Sequence, residues 1–253
     1  MSVTLQELEQ TLNDLLHPEQ FTDYCPNGLQ VQGRPEINKL VSGVTASQAL
    51  IEAASTAGAD AILVHHGYFW RGEDQTITGM KRQRIATLLN ADISLFAYHL
   101  PLDAHAELGN NAQLGELLQL QVDGELGQQN NHPLGLTGTL GSPLSIQDFA
   151  ALLNNKLERQ PLAVSGGEHD IKRVAWCTGA AQNFIGQAVA AGVDAYVTGE
   201  ASEQTVHIAR ESGIHFFAAG HHATERYGVQ AVADYLVKRF AIEHTFIDID
   251  NPV

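Results

Sequence analysis

The sequence predicts an α/β protein made of two related halves. Three observations carry that expectation. Residues 37–64 read as strand, helix, strand, the text of a unit that builds a parallel sheet. The same text returns without a gap at residues 171–198, with nine identities that include the whole turn Ala57-Gly58-x-Asp60-Ala61, repeated as Ala191-Gly192-x-Asp194-Ala195. An ungapped register over this length favours internal duplication. Short apolar runs alternate with alanine- and leucine-rich stretches along much of the chain.

The elements follow in order. Thr4 and Glu7 form a capping box, and Leu5, Leu8, Leu12, Leu15 and Leu16 recur at helical spacing until Pro18. Such a short helix is held by burial of its leucine face, since propensity alone leaves it marginal. CPNGLQVQG, residues 25–33, reads as a loop. Ile37 to Val44 is β-rich, Ala46 to Ala57 is a helix stopped by Gly58, and Ala61 to Val64 is a buried strand. Residues 121–135, rich in glycine, glutamine and asparagine, supply a boundary, giving halves 1–125 and 126–253. Leu134 to Leu140 reads as a strand, and Ser145 with Asp148 caps a further helix. Phe246 to Ile249 alternates and reads as a last, edge strand.

Composition narrows the function classes. The chain has 253 residues, with 29 acidic against 14 basic residues and a formal charge of −15. That field opposes nucleic-acid backbones and anionic membranes, while a bound metal would still admit a small anion. No apolar run is long enough to span a membrane, and the first residues do not read as a signal peptide, so a cytoplasmic location is expected. Cys25 and Cys177 form no CxxC; they read as reduced thiols without neighbouring ligands. Phosphate-loop, dinucleotide and nucleophile-elbow motifs are absent. The basic run GMKRQRIATLL, residues 79–89, reads as a solvated helix face.

Metal chemistry is where the unusual residues gather. HHGYFW at 65–70, FAYHLPLDAH at 96–105 and AAGHHATERYG at 219–228 each follow an apolar, strand-like run. Strand ends of a parallel sheet lie along one edge, where α/β proteins place ligands. If a helix begins near His221, then His221 and Glu225 share a face, and Val229, Val232, Leu236 and Phe240 anchor it. In the repeat alignment His65 and His66 fall opposite Gly199 and Glu200. Mixed imidazole and carboxylate donors suit two divalent ions, with zinc, iron, nickel, manganese or magnesium all compatible. Two blander readings stand beside this one. A histidine pair alone can merely end a strand, and Asp103 can be a helix N-cap. Tyr68, Phe69 and Trp70 fit either a stacking wall or a subunit contact. His17 and His132 read as surface residues, and His169, His207, His215 and His244 as structural or solvated.

Taken together, ILVHHG, AYHLPLDAH, VTGE and GHHATE resemble the NIF3-like family, also called the GTP cyclohydrolase 1 type 2 or DUF34 family, over nearly the whole chain. The resemblance implies two interlinked three-layer α/β domains, with C-terminal elements exchanged onto the first. It implies a ring-shaped homohexamer, a dimer of trimers, and two divalent metal ions per subunit. Carried over residue by residue, it makes His65, His66, Asp103, His221 and Glu225 the metal ligands. It suggests His99, Glu200 and His222 as residues that either support the ligands or take part in catalysis, with His99 or Glu200 able to move the proton. The implied activity is metal-dependent hydrolysis of a nucleotide or related small molecule; the rival readings are a non-catalytic metal-binding or metal-handling protein and a ring-shaped scaffold. Many members have proline where this chain has Gly67, which predicts a freer loop there. The family's large inserted middle domain is absent.

Overall fold

The computed structural model describes residues 2–129 and 132–253. The chain divides into two compact units, the first of residues 1–102 and 228–250, the second of residues 103–227 and 251–253.

In the first unit the chain forms β1 (Val3–Thr4), α1 (Leu5–Leu16), β2 (Gly28–Val31), β3 (Glu36–Ile37), β4 (Lys39–Thr45), α2 (Gln48–Thr56), β5 (Ala61–His66), α3 (Gly79–Ala91) and β6 (Ser94–Ala97). α1 begins as its sequence dictates: the Thr4 hydroxyl accepts the Glu7 N–H at 3.2 Å, and Leu5, Leu8, Leu12 and Leu16 are buried. A short helix, α4 (Leu100–Ala104), leads out of the unit. The second unit contains α5 (Asn110–Leu117), β7 (Gln121–Gln129), β8 (His132–Leu144), α6 (Ile146–Leu157), β9 (Leu162–Val164), β10 (Ile171–Trp176), α7 (Ile185–Ala190), β11 (Ala195–Thr198), α8 (Glu203–Ser212), β12 (His215–Ala218) and α9 (His221–Thr224). α10 (Arg226–Phe240) then returns the chain to the first unit, where β13 (Glu243–Phe246) joins its sheet.

The first sheet has the order β13-β4-β5-β6-β2, parallel except for β2. Alternation assigns its faces. Val41, Ile62, Val64, Leu95 and Ala97 join Leu50, Ile51 and Ala54 of α2 and Ile85 and Leu88 of α3 in one apolar cluster. The alternate residues Leu40, Leu63 and Phe96 are equally buried. On their side Tyr98 donates to Asn13 of α1 at 2.7 Å. Covering both faces explains why the strands are continuous apolar runs. Each fully buried leucine or isoleucine contributes about 1.5–3 kcal/mol.

The second sheet runs β7-β8-β10-β11-β12-β9, with β10, β11 and β12 parallel. One face packs Trp176, Val174, Val197 and Phe217 with Phe149 and Leu153 of α6. The other packs Ala175, Tyr196 and Phe216 with Ile185 and Ala188 of α7.

Two sequence expectations are corrected here. The boundary at 125/126 falls inside β7; the division lies between Leu102 and Asp103. The polar stretch 121–135 misled because its alternation is weak, yet β7 and β8 pair antiparallel across it. The last strand is Glu243–Phe246 rather than 246–249, because β4 offers Lys39 to Ser42 as its partners. Among the described residues no helix is long and apolar enough to cross a membrane.

Candidate metal centre

In the first unit β5 ends in His65 and His66, and β6 runs out to Tyr98 and His99. Because β5 and β6 are parallel and paired, their ends bring the three histidines together. The ring centroids lie 4.5 Å apart for His65–His66, 5.1 Å for His65–His99 and 5.8 Å for His66–His99. One ring nitrogen of each lies within 4.8 Å of the others, close enough to share an ion.

What holds the rings is as informative as where they sit. His65 Nδ1 lies 2.9 Å from the Tyr98 carbonyl, which only accepts, so Nδ1 carries the proton. His66 Nδ1 is 3.1 Å from the Thr45 hydroxyl. His99 Nδ1 is 2.7 Å from a carboxylate oxygen of Asp23. Metal-binding histidines are commonly held by such partners. Burial would raise Asp23, but the His99 hydrogen bond and charge, with Asn27 and the Tyr24 N–H, outweigh it and lower the carboxyl to about 2.

Of the three aromatics after the histidine pair, one faces them. Tyr68 is buried and its hydroxyl donates to the Ala46 carbonyl at 2.8 Å, a core role. Phe69 takes φ 66°, a left-handed turn costly for a bulky residue. Trp70 follows, edge-on to His99 at 5.0 Å and 5.9 Å from His66. The loop is not freer for having Gly67. A Cβ there would overlap Gln30, whose amide also bonds the Tyr68 N–H and carbonyl.

The second unit gathers a different set. β11 ends at Thr198, two residues before Glu200, and β12 leads through Ala219 and Gly220 into His221. His221 Nδ1 lies 2.7 Å from Glu200 Oε1, and its Nε2 lies 3.2 Å from Glu225 Oε2. Burial opposes a charge on this imidazole, yet Glu225 and then Glu200 prevail and raise it to about 9. The expected continuous helix from His221 is broken. α9 stops at Thr224, Glu225 adopts φ −111°, and α10 starts anew, but the pair still meets. Gly179, at φ 68°, cradles the Glu225 carboxylate, where a Cβ would overlap it.

Asp103 is not a simple helix cap. Its Oδ1 accepts from Asn110 at 2.9 Å and from the Thr178 hydroxyl at 3.3 Å. Buried Asn111 ties its backbone to the Leu134 carbonyl, the Thr178 N–H and the Trp176 indole. A cavity of about 730 Å³ opens beside Asp103, with His105, Asn111, Leu134 and Leu136 in its wall.

Sequence reasoning missed Asp23, Asn27, Asn110 and Asn111. Asp23 stands three residues before Pro26, inside turn-forming text that names no partner, and its histidine lies 76 residues on. Cys25 also needs correcting. Its sulfur has Asp23 and His99 as neighbouring donors, although burial, then the Asp23 charge, pushes the thiol up to about 12 and keeps it protonated.

Comparison with known proteins places these observations. Residues 3–252 match the family described as Duf34/NIF3 (NGG1p interacting factor 3). A Pseudomonas aeruginosa protein named "GTP cyclohydrolase 1 type 2 homolog" is 59% identical over 252 residues, covering 100% of both chains. The solved structure described as "protein ybgI, unknown function" superposes with a TM-score of 0.95 at 52% identity, covering 99% of this chain and 100% of that one. TTHA1606 from Thermus thermophilus gives 0.89 at 32% identity, covering 99% and 100%. The fold and the donor-bearing strand ends therefore have one explanation: the chain belongs to the Duf34/NIF3 (NGG1p interacting factor 3) family.

Proposed function

We propose that this protein binds two divalent metal ions through His65, His66, Asp103, His221 and Glu225. The observation that carries this is the way His221 is held. It sits between two carboxylates that favour a cation at its ring, with Glu225 nearly wholly buried behind it. A buried carboxylate is costly unless something positive stays beside it. The three-histidine cluster of the first unit supports the same chemistry, since neutral imidazoles suit zinc, iron or nickel. A bound ion would act as a Lewis acid and lower the pKa of a coordinated water.

The test is metal content after purification and dialysis, read by elemental analysis beside metal-binding isotherms. The wild-type chain is expected to retain metal, and Asp103→Ala and His65→Ala each to lose most of it. Unchanged content in Asp103→Ala removes that residue from the ligand set. A chain that retains and binds no divalent metal ends the reading.

A second reading keeps the metal and adds turnover: hydrolysis of a nucleotide or related small molecule. Two observations favour it. The cavity beside Asp103 has room for a small molecule, and both units contain a carboxylate–histidine pair able to relay a proton, Asp23–His99 and Glu200–His221. The name of the Pseudomonas aeruginosa relative points the same way. Metal-loaded protein screened against nucleotides and phosphoesters, beside His99→Ala and Glu200→Ala, decides it. Turnover lost in Glu200→Ala with metal retained, and in His99→Ala at saturating metal, supports the hydrolase; metal binding without turnover of any substrate supports a metal-handling role. Assembly into a homohexamer is part of the same proposal, and light scattering of the purified chain checks it.

A further inference from the structure

We propose that Asp23 is a positioning residue: it fixes the His99 ring in the Nδ1–H form, so that His99 presents Nε2 beside His65 and His66 as the third imidazole donor of the first unit. This rests on the metal-binding reading above and extends it to residues outside the five proposed ligands.

The geometry is that of a clamp. Asp23 Oδ1 accepts the Tyr24 N–H at 2.6 Å and the His99 Nδ1–H at 2.7 Å. Its Oδ2 accepts the Leu100 N–H at 3.0 Å and the Asn27 amide at 2.9 Å. Asn27 then accepts the His99 N–H at 2.6 Å, so backbone and ring of His99 are held by one linked pair of side chains. The Asp23 side chain is 3% exposed. A carboxylate surrounded by donors on both oxygens is an acceptor only, which assigns the proton of the contact to His99 Nδ1. Whenever the ring is neutral, its lone pair is then on Nε2.

The surroundings agree with that assignment. Trp70 stands edge-on to the His99 ring at 83°, and Tyr24 stands at 63° with its centroid 6.3 Å away. Arg71 donates its backbone N–H to the Tyr24 carbonyl at 2.6 Å and its guanidinium to the Asp23 carbonyl at 2.8 Å. The loop carrying Trp70 is thus stitched to the loop carrying Asp23, and the ring has little room to turn. In all three histidines Nδ1 faces a protein group: Tyr98 carbonyl, Thr45 hydroxyl, Asp23 carboxylate. The remaining nitrogens are the ones a shared ion would meet. Outer partners of this kind are worth about 10–100-fold in metal affinity.

The experiment reads tautomer and metal separately. Two-bond proton–nitrogen spectra of the metal-free, nitrogen-labelled full chain, with His99 identified by loss of its signals in His99→Ala, report which ring nitrogen is protonated. The wild type is expected to show Nδ1–H. Zinc affinity by chelator competition is expected to fall about 10–100-fold in Asp23→Ala. Asp23→Asn, whose carbonyl can still accept the Nδ1–H, is expected to keep the tautomer and recover much of the affinity. A merely structural role would not shift the tautomer in one variant and restore it in the other. An Nε2–H ring in the wild type overturns the proposal, whether or not the Asp23 variants fold. So does zinc affinity unchanged in a folded Asp23→Ala. Failure of the wild type to bind zinc or any other divalent ion overturns this proposal together with the metal-binding reading. Wild-type binding with no Asp23 effect overturns this proposal alone.

Discussion

In the first unit Leu40, Val41 and Ser42 pair with Ala61, Ile62 and Leu63; in the second, Val174, Ala175 and Trp176 pair with Ala195, Tyr196 and Val197. Each residue sits 134 positions after its counterpart, so the duplicated text is also a duplicated register. The shared aspartates show why the text was kept. Asp60 Oδ2 accepts the N–H groups of Asn38 and Lys39, and Asp194 Oδ2 accepts those of Lys172 and Arg173. Gly58 and Gly192 turn the chain at φ 72° and 65°, ahead of the second strand. The donors do not follow the scaffold. His65 and His66 correspond to Gly199 and Glu200. Pairing of Ser94 with Ala61 and of His215 with Ala195 makes Gly220 the counterpart of His99. A common frame carries three imidazoles in one unit and a carboxylate-flanked imidazole in the other. Frame and chemistry are therefore separable.

The strongest way to break the comparison is to attack the frame in both places. Asp60→Ala and Asp194→Ala each strand two backbone N–H groups, at about 1–3 kcal/mol per buried unsatisfied group. Both are expected to lower stability by about 2–4 kcal/mol in chemical denaturation. Asp60 should stand at the upper end, because it also pairs with Arg34 at 2.7 Å. A large loss in one and none in the other would mean that the aspartates no longer do the same job.

A smaller effect tests why the second unit has no histidine pair after β11, where Gly199 and Glu200 stand. A Cβ at Gly199 would lie 2.6 Å from both the Gly179 carbonyl oxygen and the His221 Cα, which are backbone atoms that yield little. Gly199→Ala is expected to cost about 1–3 kcal/mol and to shift the His221 ring signals. Side chains at that strand end are excluded by packing, so the donors come from Glu200, His221 and Glu225 instead. Unchanged stability and spectra in Gly199→Ala would leave the difference unexplained by space.

Glu200→Gln asks how far the carboxylates set His221. With one of the two removed, the metal-free imidazole is expected to titrate about one pH unit lower than about 9. Histidine ring shifts followed against pH check this. No change would assign the whole effect to Glu225.

The frame was legible because duplication and periodicity are local: β4, α2, β5 and their copies can be read from windows of a few residues. His65, His66 and the His221–Glu225 pair were legible because strand ends and four-residue spacing are local too. Asp23 was not, since its meaning depends on a histidine brought to it by β6. Asn111 was not, since it works by joining Trp176, Thr178 and Leu134 across the second sheet. Leu134 to Leu140 of β8 reads as a strand, but β7 reads as part of a boundary, because polar, glycine-rich text lacks the apolar alternation that marks a strand.

The edges of the two frames differ, and acid should expose it. β4 is flanked by β13, running parallel, whereas β10 is flanked by the antiparallel β8. His244 of β13 reaches Ser42 of β4, Nε2 to Oγ, at 2.8 Å; the counterpart of Ser42 is Trp176, which fills the position with an indole. Burial lowers His244 below its usual value of 6.5, against the opposing charge of Asp234, whose carboxylate lies 3.7 Å away. The unfolded chain therefore binds the proton first as pH falls. The stabilisation is present above 6.5 and is lost as pH drops through the lower, folded value. His244→Gln keeps a polar group for Ser42 and removes the proton site. Its stability, measured by denaturation between pH 7 and pH 5, is expected to fall less steeply than that of the wild type. If the wild-type slope survives in His244→Gln, the acid sensitivity lies elsewhere, and β13 is no weaker a neighbour to β4 than β8 is to β10.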